Sequence, residues 1–402
     1  MNVKTMRIVD FYAGIPICAV VSGVLKLAWR LFPKPSASPR RVLFIELSEM
    51  GSTVLAEPAM RKVKENAGAE VYFVIFDRNK GSLLLSDFVP EENIITIRDT
   101  SLFLIAWDTL RFLFWTRKNR IDSVVDLELF SRYTALLTGM SGAVNRIGFF
   151  GFHNEGLYRG DMLTHQVSYN THIHIAKNFI ALVNSLLSDH IETPYSKSLI
   201  ENDEIVIQKV SPGESLRKDI QNRVKKTHPS YNPERNRIVL VNPNSSLMLP
   251  QRRWMAENYA AVIEKVLGRY EDVVVLITGA TEEREEAEFL VHAVGNARCI
   301  NFAGLMRLSE LPALYSVSAL MITNDSGPSH FAALTEMPVV TLFGPETPRL
   351  YAPLGRGAVV YAGLACSPCV SAANHRKTAC TDNQCMKAIS VDQVFEVACG
   401  YL

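Results

Sequence analysis

Apolar residues fall in short blocks along most of this chain, and longer amphipathic stretches separate the blocks. Runs at 42–47, 71–76, 94–97, 123–127 and 146–149 carry few charges and stop at turn residues. Runs of that length read as buried strands of a parallel sheet. Helical spacing occupies the intervals, at 53–66, 102–115 and 133–140, and again at 173–187. A second set begins at Arg237, with strands at 238–242, 273–278, 299–301, 320–323 and 339–343 and helices at 255–267, 282–293 and 308–315. Strands alternating with helices indicate a parallel α/β sheet in each set. Between the sets lies the polar stretch 196–236, with Pro212-Gly213, Lys225-Lys226, Pro233 and one helix around 214–226. A chain of 402 residues is also too long for one ordinary core. The pattern predicts an α/β protein with two Rossmann-like domains, residues 41–215 and 216–402, facing across a cleft.

Residues 1–40 depart from this rhythm. No charge occurs from 11 to 25, while Lys4, Arg7, Lys26, Arg30, Lys34, Arg40 and Arg41 surround that stretch against the single acid Asp10. No small-residue cleavage site of the secretory kind follows. A spanning helix needs about 20 apolar residues. Residues 11–32 reach that length only if Lys26 and Arg30 extend their charged ends to the interface, and Gly14, Pro16 and Gly23 interrupt them. The preferred expectation is a membrane-associating helix in the cytoplasmic leaflet, held by anionic lipid and by Trp29. A true span and a helix packed on the domain are the other two readings. Pro33, Pro35 and Pro39 then form a stiff linker. The protein is expected on the inner face of the cytoplasmic membrane.

Composition narrows the classes. With 48% apolar and 21% charged residues the chain is a folded protein, and a net charge of +1 disfavours nucleic acid as a partner. Cys18 and Cys299 sit in apolar surroundings, as reduced thiols do. Cys366 and Cys369, two residues apart, precede Cys380 and Cys385. That spacing is compatible with a zinc knuckle, but structural thiols are the preferred reading.

The candidate chemistry gathers where strands end. From 319 to 345, two apolar runs flank Asn324-Asp325-Ser326-Gly327-Pro328, a turn leading into a helix. Ligands of open α/β sheets bind at such an edge, and free backbone N–H groups there favour a phosphate. Gly327 allows close approach, Pro328 suits a first helical turn, and Ser326, Ser329 and His330 offer hydrogen bonds. A plainer reading has Asp325 and Ser326 capping a helix beside a surface histidine. After strand 238–242 come Pro243-Asn244-Ser245-Ser246 and then Arg252-Arg253-Trp254. Small polar residues and two guanidinium forks suit a diphosphate, although a solvated basic turn has the same composition. Glu283 follows strand 273–278, where an acid in a first helical turn also satisfies the helix dipole. After strand 42–47, Ser48-Glu49-Met50-Gly51-Ser52 leads into a helix containing Pro58.

The stretch from Asn324 to Pro345 resembles the signature N-D-[ST]-G-P-x-H followed by P-V-V-x-L-F-G-P of glycosyltransferase family 9, the lipopolysaccharide heptosyltransferase family. The resemblance covers about 41–390 and is densest over 237–345. It implies a GT-B architecture in which the first domain takes the acceptor and the second the nucleotide sugar. It also implies a donor site of Asn244, Ser245, Arg252, Arg253, Glu283, Gly304, Asp325, Ser326, Gly327, Pro328 and His330. Arg252 stands where the family usually has Lys, two residues before the Trp; Glu283 inherits a role at the nucleoside end, and Gly304 one beside the base. The family's presumed catalytic Asp falls on Ser52, whose hydroxyl cannot serve as a base near neutral pH. Glu46, Glu49 and Glu57 lie nearby, and Glu49 is chosen as the substitute base because it sits in the loop at the strand's carboxyl end. The alternative is a solvated loop acid with Ser52 capping the helix.

The function expected from this resemblance is inverting transfer of heptose or another sugar. The donor is a nucleotide-diphosphate sugar, and the acceptor a lipopolysaccharide or other lipid-linked glycan at a membrane surface. No cofactor is expected. No D-x-D motif usable by a donor metal occurs in the second half, so the transfer is expected to need no metal. A nucleotide-sugar epimerase and a catalytically silent glycan-binding protein are the competing readings.

Overall fold

A computed structural model describes the chain except residues 1–2, 33–37, 130, 154–156, 191, 246–248, 372–373 and 375. Pro33 and Pro35 of the expected linker and Ser246 of the expected phosphate turn lie outside the described residues. Two compact units result, Met1–Val206 with Ala372–Arg376, and Ile207–Ser371 with Lys377–Leu402.

The first unit holds β1 (Arg41–Ile45), β2 (Glu70–Phe76), β3 (Ile94–Ile97), β4 (Ser123–Asp126), β5 (Asn145–Phe149) and β6 (His165–Val167). They form one parallel sheet in the order β3-β2-β1-β4-β5-β6. Residues 42–45 of β1 are wholly buried. A central strand covered on both faces has no solvent side, so its sequence runs apolar instead of alternating. Helices Glu57–Ala67 and Ile175–Leu187 pack against each other. Helices Leu102–Lys118 and Arg132–Met140, the connections from β3 to β4 and from β4 to β5, contribute Phe112 and Leu137 to one apolar cluster with Leu43, Ile45 and Val124. Right-handed crossovers place these two helices on the same side of the sheet.

The N-terminal segment is a helix pair, Val3–Tyr12 and Gly14–Leu31. Its inner face is built into the first unit. Cys18 is buried with Ala135, Leu136 and Met162. The Ser22 hydroxyl accepts from the Asp161 N–H at 2.9 Å, Asp10 pairs with Arg132 at 3.0 Å, and the Arg146 guanidinium lies 3.8 Å from the Trp29 ring centroid. A Cβ on Gly14 would come within 2.9 Å of the Arg132 side chain, so glycine is what lets the second helix start here.

The second unit repeats the first. It holds β7 (Arg237–Asn242), β8 (Val273–Ile277), β9 (Cys299–Asn301), β10 (Leu320–Asn324), β11 (Val339–Phe343) and β12 (Gly357–Tyr361), in the parallel order β12-β11-β10-β7-β8-β9. The two sheets are the Rossmann-like pair that the pattern predicts. Three local features differ from the sequence reading. β6 and β12 are edge strands that the pattern did not mark; β6 has three residues and β12 is half-exposed. The helix expected over 53–66 divides at Ala56 into Met50–Leu55 and Glu57–Ala67. Pro58 explains the division, because it lacks an N–H and its ring opposes the carbonyl four residues back. The uncharged stretch from 11 is likewise not one helix, since a break at Ala13 separates the pair.

Candidate active site

In the second unit β8 and β9 extend the sheet to one side of β7, while β10, β11 and β12 extend it to the other. Such a reversal leaves a crevice outside the carboxyl ends of the two central strands, here β7 and β10. Two loops meet at this point, Pro243-Asn244-Ser245 after β7 and Asp325-Ser326-Gly327 after β10. Asn324 ties them together. Its Nδ2 donates to the Pro243 carbonyl at 2.7 Å, and its Oδ1 accepts from the Trp254 N–H at 3.1 Å. The Ser245 hydroxyl is buried with no hydrogen-bond partner among the described residues.

Arg252 is the electrostatic centre of the site. Its Nη2 meets Glu346 Oε2 at 2.9 Å and its Nε lies 3.3 Å from Asp325 Oδ2. Asp325 and Glu346 are buried, and Arg252 keeps 14% of its side-chain surface. Burial works against the charge on Arg252, yet the two carboxylates hold its pKa above the ordinary value. Burial raises the Asp325 pKa, against the pull of Arg252. The same opposition, with burial the larger effect, leaves Glu346 pushed up to about 8.

The other expected donor residues divide. Arg253 is paired with Glu286 at 3.1 Å on the surface. Glu283 accepts from the Ala280 N–H at 2.7 Å, so it serves the start of its helix, and burial raises its pKa. A Cβ on Gly279 would come within 2.8 Å of both Asn244 Nδ2 and Glu283 Oε2, so this glycine permits the turns after β7 and β8 to approach. Gly304 has φ +73 and donates its N–H to the Gly279 carbonyl at 3.0 Å. Ser326 precedes the helix Gly327–Phe331, with Pro328 in its first turn. Ser329 donates to the Ser326 carbonyl at 2.7 Å and is wholly buried, and His330 is buried as well.

The first unit has its own reversal, between β1 and β4, and acids collect there. Glu128 accepts from the Leu47 N–H at 3.0 Å and from the Ser48 hydroxyl at 2.9 Å. Glu46 accepts from the Glu49 N–H at 3.1 Å. Asp126, the last residue of β4, pairs with Arg159. Burial, reinforced by the charge of Glu128, pushes Glu46 well up, and burial carries Asp126 up to about 6. Glu57 is buried against Arg61 at 3.1 Å. Glu49 is the more open acid, about a quarter exposed: its side chain keeps 28% of its surface. Its Oε1 pairs with Arg376, and its Oε2 accepts from the Ser52 hydroxyl at 2.9 Å. Burial brings the Arg376 pKa down to about 10. Ser52 is not the helix cap; it is the third residue of helix Met50–Leu55, and Glu49 occupies the cap position.

The model of glycosyltransferase family 9 (heptosyltransferase) matches residues 116–379. This chain belongs to that family. Among curated relatives, lipopolysaccharide heptosyltransferase 2 of Salmonella typhimurium is 31% identical over 114 residues, 28% of this chain and 32% of its own length. The chain thus spans about a third of the length of that relative. Among solved structures, ADP-heptose lps heptosyltransferase II of E. coli superposes with a TM-score of 0.68 at 18% identity, covering 90% of this chain and 98% of that one. A glycosyl transferase family 9 protein from Veillonella parvula gives 0.65 at 19% identity, covering 91% and 98%. These likenesses establish the shared fold.

Several residues of the candidate site carry no role in the sequence reading. Glu346, which shares Arg252 with Asp325, stands three residues beyond the end of β11 in Gly-Pro-Glu, and that position was a usable signal. Asn324 stands in the Asn-Asp-Ser-Gly-Pro turn, where its sequence position does not show that its side chain joins the two loops. Arg376 gave no signal, because it lies more than 300 positions from Glu49 in sequence, within the cysteine-rich segment. In that segment Cys366 is exposed, Cys369 and Cys380 are half-buried and Cys385 is buried. Among the described residues no three His, Cys, Asp or Glu side chains are placed to share a metal ion.

Proposed function

We propose that this protein is an inverting glycosyltransferase that moves a heptose from ADP-heptose, or a related sugar from its nucleotide diphosphate, to a lipopolysaccharide-type acceptor. Membership of the heptosyltransferase family supports the reaction class, and the ADP-heptose enzyme of the same fold supports the donor. The observation that carries the reading is the contact of Glu49 with Ser52. The family's acid position is a serine here, and a carboxylate from one turn earlier lies 2.9 Å from that serine's hydroxyl. Glu49 is thus an acid within reach of the expected place, ion-paired with Arg376.

In the proposed reaction Glu49 takes the proton of the acceptor hydroxyl, which attacks the anomeric carbon from the face opposite the diphosphate. The bond to the diphosphate breaks and the anomeric configuration inverts. Backbone N–H groups at Ser326 and Gly327 stabilise the charge that develops on the diphosphate. Arg252 contributes positive charge and fixes Asp325 and the turn carrying those groups. Asn244 and Ser245 line the other strand end. Glu283 and Gly304 are assigned to the nucleoside side. The N-terminal helix pair holds the enzyme at the inner face of the cytoplasmic membrane, where a lipid-linked acceptor is presented.

The test is transfer from ADP-heptose to heptose-deficient lipopolysaccharide, followed by mass and anomeric configuration of the product. A product of retained configuration, or ADP release that does not depend on acceptor, would overturn the mechanism. Ser52 in place of an acid favours one competing reading, a glycan-binding protein without turnover, which predicts acceptor binding and no product at all.

A further inference from the structure

Helix Leu102–Lys118 turns an apolar stripe outward. Phe103 is 76% exposed, Trp107 58%, Leu110 63% and Phe114 71%. Their spacing of four, three and four residues keeps them on one helical face. A surface helix ordinarily turns its polar face to water and its apolar face to the core. This one does bury Phe112 and Asp108 inward, yet it carries a second apolar face. Helix Gly14–Leu31 does the same, with Ile17, Val20, Val24, Leu27 and Leu31 exposed at equivalent spacing while Cys18 and Ser22 are packed on the protein.

These two helices stand on the same side of the first sheet. Helix Gly14–Leu31 packs on helix Arg132–Met140, whose Tyr133 hydroxyl is 2.6 Å from Thr109 of helix Leu102–Lys118. Met6 of the first N-terminal helix joins the same cluster as Leu113 and Trp115. Charge completes the picture. On helix Leu102–Lys118 the acid Asp108 is buried and paired with Arg98 at 2.7 Å, so Arg111, Arg117 and Lys118 make up its exposed charge. Arg7 and Arg30 are exposed on the N-terminal pair. Beside Phe114 a cavity of about 290 Å³ is lined by Lys80, which pairs with Glu91, by Arg111 and Lys118, and by Ile94, Ile95, Thr96 and Trp115.

We propose that helix Leu102–Lys118 is a second membrane-contacting element: its outer stripe and that of the N-terminal pair together seat the first unit on an anionic phospholipid surface, with the basic cavity taking a lipid phosphate. Apolar residues enter the acyl boundary while cations stay at the headgroups, as amphipathic interfacial helices require. A second copy of the chain on this face would set cations against cations. A span is disfavoured because the inner face of Gly14–Leu31 is committed to the protein. The proposal rests on the membrane reading of the proposed function and extends it from one helix pair to a three-helix face.

The experiment is flotation of the full chain with phosphatidylcholine vesicles, with and without phosphatidylglycerol. Three proteins are compared: the unaltered chain, a Phe103→Ser/Trp107→Ser/Phe114→Ser variant and a Val20→Ser/Val24→Ser/Leu27→Ser variant. The expected result is anionic-lipid-dependent binding by the unaltered chain, weakened at least about tenfold in each variant, since each removes part of the inserted area. Unchanged ADP binding and melting temperature would exclude misfolding as the cause. Binding lost in the N-terminal variant but retained in the Phe103 variant would overturn this proposal and leave the N-terminal anchor standing. No binding by the unaltered chain would overturn both. A lipid-independent dimer that the Phe103 variant dissolves would assign the face to a second copy, against the proposal.

Discussion

The two sheets share one strand order and reverse it at equivalent places, between β1 and β4 and between β7 and β10. What stands at the two reversals is opposite in kind. The first collects Glu46, Glu49, Asp126 and Glu128, and burial pushes Glu46 and Asp126 toward their protonated forms. The second places one guanidinium, Arg252, between two carboxyls and surrounds it with small residues and backbone N–H groups. The topology therefore fixes where a ligand binds and leaves open what it is. An acidic crevice suits removing a proton from a hydroxyl, and a crevice of donors around one cation suits a departing diphosphate.

The sharpest way to break this contrast is at Glu49. Glu49→Gln keeps the shape and one acceptor oxygen for Arg376, as a neutral hydrogen bond, but cannot take a proton. Turnover should fall by roughly two to four decades, while ADP affinity, a property of the other sheet, stays unchanged in calorimetry. Ser52→Asp in the same chain should restore part of the rate by supplying the family's usual acid. Full activity in Glu49→Gln would move the role of base elsewhere, and Glu46 is a poor heir because burial raises its pKa and closes it off from an acceptor.

Arg252 supplies the next largest effect. Removing it leaves Asp325 buried without its cation, so Arg252→Ala should cost about 3–5 kcal/mol of stability, read from the denaturation midpoint. Arg252→Lys keeps the charge, loses the fork and should fold. In that variant ADP affinity should drop by on the order of 1–2 kcal/mol, with adenosine affinity nearly unaffected. Equal losses for ADP and adenosine would remove Arg252 from the diphosphate end of the site.

These tests also mark what the sequence made legible. Every strand that the apolar runs announced is present, and β3, β9 and β11 have the announced limits. Buried parallel strands write themselves as apolar runs. Edge strands do not, so β6 and β12 were passed over. Strand order was out of reach, because it depends on pairing between distant segments, such as Ile45 with Asp126 and Asn242 with Thr323. The partners of the site residues share that difficulty. Arg252 and Glu346 are 94 positions apart, and nothing local marks them as a pair. Residue type located the loops; the charge balance within them needed the fold.

A smaller effect should appear in the pH dependence of the second site. Glu346 is pushed from its ordinary 4.5 up to about 8. As a carboxyl with a raised folded-state value, it gives its full stability below 4.5 and loses it as pH rises through about 8. Its ionisation would also add negative charge beside the proposed phosphate position. ADP affinity should therefore decline above pH 8, by at most about tenfold per pH unit. Glu346→Gln, neutral at every pH, should bind ADP with a flatter profile and lose less stability on the alkaline side. Superimposable profiles for the two proteins would mean that Glu346 does not titrate there.

The smallest effect is expected at Ser52. Its hydroxyl sits on the third residue of a helix and donates to a partly exposed carboxylate, so it is not a cap whose loss frays the helix. Ser52→Ala removes one hydrogen bond to Glu49, worth about 1 kcal/mol, and leaves Arg376 on the other oxygen of that carboxylate. Stability should fall by about that amount. Turnover should fall only a few-fold, because one oxygen of Glu49 then becomes free to accept the acceptor's proton even as the carboxylate loses orientation. That sign is informative. If Ser52 itself carried the chemistry, alanine would abolish transfer as completely as Glu49→Gln does. A rate measured in Ser52→Ala against Glu49→Gln, in the same assay and at the same pH, therefore decides which of the two neighbouring side chains is the base and which one holds it in place.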